Sequence, residues 1–183
     1  WASHVVHHSS QHYNLSTALR QTWTGEISGS FMFYAWMPLV GFDPLWILTA
    51  QSINLIYQYW IHTEVIRKMP RWFELIFNTP SHHRVHHAND LQYLDMNFAG
   101  MLIVWDRMFG TFIDETKAPT YGLTTNISTY NPARIAFAEW GNLARDVFRT
   151  SGILNKLRYI FAPPGWSPDG STLTTEEMRE EEN

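Results

Sequence analysis

The stretch ISGSFMFYAWMPLVGFDPLWILTAQSINLIYQYWI, residues 27–61, decides the fold class. Its only charged residue is Asp43, which lies in the turn-forming run 41–44 between two apolar arms, residues 27–40 and 45–61. As helices, the arms would each reach roughly 20–25 Å, somewhat less than the ~30 Å hydrocarbon core of a bilayer. The stretch therefore predicts an all-α integral membrane protein with a transmembrane or re-entrant hairpin.

The basic residues predict how this hairpin is oriented. Lys and Arg are absent from residues 21–66, and four of the thirteen follow soon after the second arm: Arg67, Lys68, Arg71 and Arg84. Because positive charge concentrates on the cytoplasmic side of a membrane, both ends of the hairpin are expected at that face. The membrane would be a bacterial inner membrane or the endoplasmic reticulum. A buried hairpin of a soluble protein is the alternative, since the second arm carries polar side chains at Gln51, Ser52, Asn54 and Gln58.

The composition excludes several classes of function. Charged residues make up 16 % of the 183 residues, against roughly 25 % in a typical soluble domain. The 45 % of hydrophobic residues is too high for a disordered chain. A net charge of −4 gives no electrostatic basis for binding nucleic acid. The absence of cysteine excludes disulfides, iron–sulfur clusters and a thiol nucleophile.

Two motifs of the form H-x-x-H-H carry the chemistry. They supply His4, His7 and His8 near the start of the chain, and His83, His86 and His87 after the hairpin. Positions i, i+3 and i+4 share one face of a helix, so each motif is predicted to point three imidazoles in one direction. Clustered imidazoles repel one another when protonated and lose solvation when buried. A bound cation removes both costs, so the motifs predict a metal site.

The number of imidazoles favours two metal ions. Six exceed the four positions of a structural zinc site, and neutral imidazole suits iron, copper, nickel and zinc. The Glu-x-x-His sets of soluble di-iron bundles do not occur in this sequence. We therefore predict a histidine-rich di-iron centre in a cytoplasmic helical cap, and a pair of zinc ions is also compatible with the spacing.

Three further histidines are assigned by their positions. His62 directly follows the second arm, and two crossings return the chain to the face it left, so His62 is predicted to be a seventh ligand. His82 lies about 100° around a helix from His83, which makes it either a ligand or a hydrogen-bond donor to one. His12 is expected to lie outside the site.

The remainder of the chain divides into a domain and a tail. Residues 1–162 are predicted to form one domain, and residues 163–183, rich in Pro and Gly and then acidic, to form a solvated tail. Apolar residues at helical spacing between 134 and 148 fit either a core-facing helix or one lying on a membrane surface.

These motifs resemble the fatty acid hydroxylase/sterol desaturase superfamily of membrane di-iron oxygenases. The strings that carry the resemblance are HVVHHSS at 4–10, NLSTALRQ at 14–21, NLIYQYWIHTE at 54–64, NTPSHHRVHH at 78–87, WDRMFGTF at 105–112, YGLT at 121–124 and PPGW at 163–166. The longer strings resemble the branch that hydroxylates the ether-bonded carbon of alkylglycerol-type lipids. The superfamily pattern has a further H-x-x-x-H box shortly before the position of Trp1. The chain is therefore expected to be a fragment that lacks two ligands and is inactive alone.

The resemblance implies the cofactors and partners. They are two iron ions, O₂, a lipid substrate, a membrane and an external electron donor, which is tetrahydrobiopterin or a cytochrome b5- or ferredoxin-type protein. An external donor is needed because the sequence has no dinucleotide loop, haem motif or cysteine. No nucleic-acid partner is expected. The alternatives are a sterol or fatty-acid hydroxylase or desaturase with the same site, and a non-catalytic histidine-rich membrane metal-binding protein.

Overall fold

A computed structural model describes residues 1–182 of the chain. Within this range the fold is helical and contains no β-strand, as the sequence predicts; one isolated antiparallel bridge pairs Ala88 with Tyr121. The helices are α1 (Val5–His8), α2 (Leu15–Ala18), α3 (Pro44–Ile61), α4 (Arg71–Ile76), α5 (Pro80–His86), α6 (Val104–Phe109), α7 (Pro132–Arg149), α8 (Ile153–Phe161) and α9 (Thr175–Glu182). Three 3₁₀ segments, Glu26–Ser28, Ser30–Phe33 and Met37–Val40, precede α3.

Only the second arm of the predicted hairpin forms a continuous helix. Helix α3 begins at Pro44, and the Asp43 carboxylate accepts a hydrogen bond from the Leu45 backbone N–H at 2.8 Å, a normal N-terminal cap. The first arm consists of the three 3₁₀ segments, so the prediction of one helix there is wrong. Gly29 and Gly41 adopt left-handed φ values of 80° and 99°, and Pro38 lacks the N–H needed inside a helix.

A membrane-spanning helix is not found among the described residues, because none combines sufficient length with sufficient apolar character. The outer side of this region is nonetheless strongly apolar. Phe33 and Leu39 are 85 % and 86 % exposed, and Trp46 and Ile56 on α3 are exposed as well. Many large apolar side chains exposed in one region are typical of a lipid or protein contact.

Most of the buried residues are polar, and the histidines are among them. Two small apolar clusters are buried: Val6 packs with Ile135 and Ala136, and Val85 packs with Ala88 and Tyr93. Val6 and Val85 lie inside the two H-x-x-H-H motifs. Each motif is thus anchored by the side chain that points away from its histidines.

Hydrogen bonds hold the loop after α5 against α5 and α6. The Asp106 carboxylate accepts the backbone N–H groups of Phe98 and Ala99, each at 2.8 Å. Asn97, with a positive φ of 54°, donates to the backbone carbonyls of His82 at 3.2 Å and Ile113 at 2.9 Å. These buried bonds replace the regular backbone bonding that a loop lacks, and they fix α5 in place.

The acidic segment near the end of the chain forms helix α9. The Thr174 N–H donates to the Glu177 carboxylate at 2.7 Å, and the Glu177 N–H donates to the Thr174 hydroxyl at 3.4 Å, which together form a capping box. Arg179 donates to the backbone carbonyl of Leu94 at 2.5 Å, so the helix contacts the loop after α5 instead of being fully solvated. The division at residue 162 stays a prediction, and Asn183 lies outside the described residues.

Candidate metal centre

The seven histidines predicted as ligands form two adjacent groups. The inner group contains His7, His62, His83 and His87, all buried, and the outer group contains His4, His8 and His86, which are more open to solvent. Within each group, one ring nitrogen per residue lies within 4.8 Å of the others. Three separate segments of the chain therefore converge on one place: α1, the end of α3, and α5.

Each H-x-x-H-H motif divides its histidines between the two groups. His4 and His8 join the outer group while His7 joins the inner one; His83 and His87 join the inner group while His86 joins the outer one. The expectation that each triplet points in a single direction is therefore corrected. Positions i and i+4 lie about 40° apart on a helix, whereas i+3 lies about 60° to the other side of i. The three side chains of a motif therefore spread over about 100°, which lets them reach two neighbouring groups.

His62 occupies the middle of the inner group. It follows α3 directly, and its Nδ1 lies 2.6 Å from the backbone carbonyl oxygen of Gln58. Its Nε2 lies 3.1 Å from His7 Nε2, 3.1 Å from His87 Nε2 and 3.0 Å from His83 Nε2. A carbonyl oxygen only accepts, so we assign the proton of neutral His62 to Nδ1, which leaves a lone pair on Nε2.

The inner nitrogens fit a metal ion better than a hydrogen-bond network. His7 Nδ1 lies 3.3 Å from the carbonyl oxygen of Arg20, so its Nε2 also carries a lone pair. Two lone pairs 3.1 Å apart repel each other unless a cation lies between them. Ligand nitrogens about 2.0–2.1 Å from one ion are roughly 2.9–3.4 Å apart. The observed distances of 3.0–3.1 Å fall in that range.

The surroundings keep these imidazoles neutral. Burial, aided by the neighbouring imidazoles, holds the pKa of His83 and of His87 well below its usual value. Desolvation lowers the pKa of His62 to about 4, although its bond to Gln58 opposes the shift. It lowers the pKa of His86 to about 4 as well, and the His7 charge acts in the same direction. Neutral imidazole is the form that binds metals.

A buried ion pair positions His62 relative to the second motif. The Arg84 guanidinium pairs with the Glu115 carboxylate, with Nε 2.8 Å from Oε1. It also donates to the backbone carbonyls of Thr63 at 3.0 Å, Ile66 at 2.8 Å and Arg67 at 2.7 Å. Arg84 therefore connects α5 to the segment that directly follows His62. From the sequence, Arg84 indicated only the topology, although a charged residue between two predicted ligands was a usable signal of a buried ion pair.

Tyr13 covers the inner group on one side. The residue is buried, and its hydroxyl donates to the backbone carbonyl of Ile61 at 3.0 Å. Its ring lies parallel to His62, with centroids 5.6 Å apart, and stacks on Tyr121 at 5.0 Å. Burial raises the pKa of the Tyr13 hydroxyl well above its usual value, so it remains a neutral donor. No sequence signal distinguished this tyrosine from the other seven.

The two remaining histidines lie outside both groups. His82 is buried and packs edge-on against Phe112, with ring centroids 5.3 Å apart. Its backbone carbonyl accepts from Asn97. His12 is exposed and is not brought to the histidine groups, in agreement with the sequence prediction. His82, which the sequence left as either a ligand or a hydrogen-bond donor to one, is thus separated from the seven predicted ligands.

Comparison with known proteins assigns the family. The family model for fatty acid hydroxylase matches residues 1–111, a range that contains both motifs and His62. The chain belongs to the fatty acid hydroxylase family. The resemblance drawn from the histidine motifs is thereby confirmed.

Curated relatives refine this assignment. The chain is 47 % identical to the alkylglycerol monooxygenase of Danio rerio over 168 residues and 47 % identical to that of Homo sapiens over 169 residues. It is 37 % identical to that of Caenorhabditis elegans over 179 residues. Each match covers 92 % of this chain but only 35–37 % of the relative. The chain thus spans little more than a third of their length. No solved structure matches.

Proposed function

We propose that this chain carries the metal centre of an O₂-dependent monooxygenase that hydroxylates the ether-bonded carbon of an alkylglycerol-type lipid. The observation that carries the proposal is the pairing of a four-imidazole group with a three-imidazole group, built by interleaving two H-x-x-H-H motifs. The substrate class is supported by the 47 % identity to proteins named alkylglycerol monooxygenase.

Two iron ions account for the ligand set. Seven imidazoles are more than one ion accepts, and the two groups adjoin, as the centres of a two-metal site must. The inner group has a complete set of four nitrogens, whereas the outer group has three and is more open to solvent. Iron held there would activate O₂, so that one of its oxygen atoms is inserted into the C–H bond and the other leaves as water.

The chain's own residues prepare the centre. The carbonyl oxygens of Gln58 and Arg20 hold protons on the Nδ1 atoms of His62 and His7, so that both Nε2 lone pairs face inward. Arg84 fixes the distance between the end of α3 and α5 through its bonds to Glu115 and to the Thr63 carbonyl. Burial of the inner imidazoles excludes water, which would otherwise compete for the ion and quench reactive species.

The reducing electrons and the lipid come from outside the chain. Hydroxylation of one C–H bond by O₂ consumes two electrons, and the sequence offers no carrier for them. We propose tetrahydrobiopterin as the donor, with a cytochrome b5- or ferredoxin-type protein as the alternative. The exposed apolar side of residues 27–61 faces the bilayer from which the lipid arrives, with the histidines at the cytoplasmic face.

The test is product analysis of the full-length protein with ¹⁸O₂ and an alkylglycerol, with and without tetrahydrobiopterin. Hydroxylation beside the ether oxygen gives a hemiacetal, which collapses to an aldehyde and the free glycerol hydroxyl. We expect ¹⁸O in the aldehyde, trapped by rapid reduction to the alcohol, and no product without the pterin. Anaerobic incubation is the control.

Other outcomes identify the competing functions. A stable hydroxylated or desaturated sterol or fatty acid, with the alkylglycerol unchanged, assigns the site to a sterol or fatty-acid enzyme. Metal-loaded protein that gives no oxidised lipid with any of the donors supports a metal-binding protein. Either result contradicts the proposed substrate.

A further inference from the structure

Helix α8 presents its apolar side outward. Five of its nine residues are large and apolar, and all five are exposed: Ile153, Leu154, Leu157, Ile160 and Phe161. Ile153 and Phe161, at its two ends, are 74 % and 80 % exposed. In a water-soluble surface helix these residues would face the core. Here the arrangement is reversed, so the apolar stripe lacks a partner among the described residues.

Basic residues border this stripe on both sides. At 100° per residue the five apolar side chains occupy an arc of about 120°, with Lys156 and Arg158 about 40° beyond its two edges. On the other side of the helix, Tyr159 packs against Trp166 with ring centroids 5.3 Å apart. Arg158 also lies over the Trp166 ring, at 5.7 Å from its centroid. Long basic side chains beside an apolar face are typical of helices lying in a membrane interface.

Helix α7 continues the same pattern. It packs against α8 and exposes Phe137 and Phe148, beside an edge of basic residues formed by Arg134, Arg145 and Arg149. Residues 132–162 contain five basic and two acidic residues, whereas the whole chain has a net charge of −4. Positive charge is therefore concentrated where the apolar surface is exposed, which is complementary to anionic lipid head groups.

The N-terminal end of α7 is fixed to the body of the protein. Ile135 and Ala136 are buried against Val6 in the first histidine motif, and the Trp140 indole N–H donates to the Thr24 hydroxyl at 2.9 Å. Of the apolar residues between 134 and 148, Ile135 and Ala136 are thus buried in the core, whereas Phe137 and Phe148 are exposed. Since α1 carries His4, His7 and His8, the exposed surface has a rigid connection to the metal centre.

We propose that the α7–α8 hairpin is an interfacial element that lies in the head-group layer of an anionic phospholipid bilayer. The five apolar residues of α8, with Phe137 and Phe148, enter the boundary between head groups and acyl chains. Lys156 and Arg158 bind lipid phosphates at its edges. This surface lies apart from the histidine centre, so its role does not depend on the metal or on the substrate.

The test uses the full-length protein in nanodiscs with an environment-sensitive fluorophore on Leu157→Cys. Asn155→Cys, about 160° around the helix, is the matched control, and labelling of the unsubstituted protein gives the background. Lipids brominated near the head-group end of the acyl chain report membrane contact, and aqueous iodide reports solvent contact. We expect the bromolipids to quench the probe at 157 and iodide to leave it unaffected, with much weaker lipid quenching at 155.

The charge dependence is measured with the same probe. Two changes should weaken docking: replacing phosphatidylglycerol by phosphatidylcholine, or introducing K156Q and R158Q together. Each should lower the ratio of probes at 157 that are quenched by bromolipid to those quenched by iodide by about tenfold or more. Iodide quenching at 157 in anionic nanodiscs would overturn the proposal, since the stripe would then face water. Protection of the 157 probe from both quenchers would overturn it as well, because another part of the protein would cover the stripe.

Discussion

The imidazole rings of His8 and His87 stack with centroids 4.3 Å apart and planes inclined by only 19°. His8 belongs to the outer group and His87 to the inner group, and they come from different motifs. A stacked pair of imidazoles therefore joins the two groups. Two metal ions held by these groups would therefore be neighbours, and a change in one group is expected to affect the other.

His62→Gln should remove the central ligand of the inner group. An amide is a poor replacement for an imidazole nitrogen, and His62 Nε2 contacts three other ring nitrogens at 3.0–3.1 Å. We expect iron content to fall from about two to about one per chain or less, and turnover to be lost, while expression and membrane insertion remain. Metal analysis and the lipid assay measure both effects.

His12→Gln is the matched control for that substitution. His12 is exposed and outside both groups, so its replacement should change stability by no more than about ±0.5 kcal/mol. Near-normal iron and turnover in His62→Gln, or equal damage in His12→Gln, would contradict the assignment of His62.

Arg84→Met should destabilise the fold strongly. It leaves the half-buried Glu115 carboxylate without its partner and frees the carbonyls of Thr63, Ile66 and Arg67. Breaking a buried pair by removing one partner costs about 3–5 kcal/mol. The double variant Arg84→Met/Glu115→Leu should recover part of this loss.

Lys117→Gln, at an exposed position, is the control in the same denaturant or thermal unfolding experiment. A loss below about 1 kcal/mol in Arg84→Met, similar to that of an exposed pair, would show that Arg84 does not hold the segment after His62.

Acidification should destabilise the metal-free chain. The pKa of His62 and of His86 is about 4 in the folded state, against the ordinary value of 6.5. Between these values the unfolded state binds more protons, so stability falls as the pH decreases from about 6.5 to about 4. Unfolding midpoints measured across this range should decrease steadily, and the decrease should be shallower in His86→Gln. A constant midpoint would contradict the neutral, buried state of the imidazoles.

The topology of residues 27–61 can be tested by labelling. If both ends of this stretch lie on the cytoplasmic side, cysteines introduced at His12 and Arg71 should react with an impermeant reagent from the same side of sealed vesicles. Labelling from opposite sides would mean a single crossing. The two histidine motifs could then not share one face of the membrane.

From the sequence one can predict which histidines come together, but not how they are arranged. Histidines at i, i+3 and i+4 form a local pattern. His62 was predicted as a ligand from the expectation that two membrane crossings return the chain to one face, and the described helices do not confirm those crossings. The division of each motif between two groups depends on how α1 and α5 approach one another, which no local pattern specifies. The ion pair between Arg84 and Glu115 joins residues 31 positions apart, and pairs at such distances are set by packing.

The helical class was predictable from the apolar stretch, but the form of its first arm was not. The composition of residues 27–40 is apolar enough for a buried helix, and the prediction rested on that composition alone. In the structure Gly29 and Pro38 interrupt the helix, and 3₁₀ turns replace it. The backbone preferences of Gly29 and Pro38 therefore decide the local structure more than the apolar composition does.

The most direct test of two adjacent iron ions is metal analysis combined with Mössbauer spectroscopy of the full-length protein, purified from membranes after growth on ⁵⁷Fe. We expect about two iron ions per chain, as a two-metal centre requires, with the magnetic coupling of neighbouring ions. Active enzyme that contains stoichiometric zinc and no iron would contradict it.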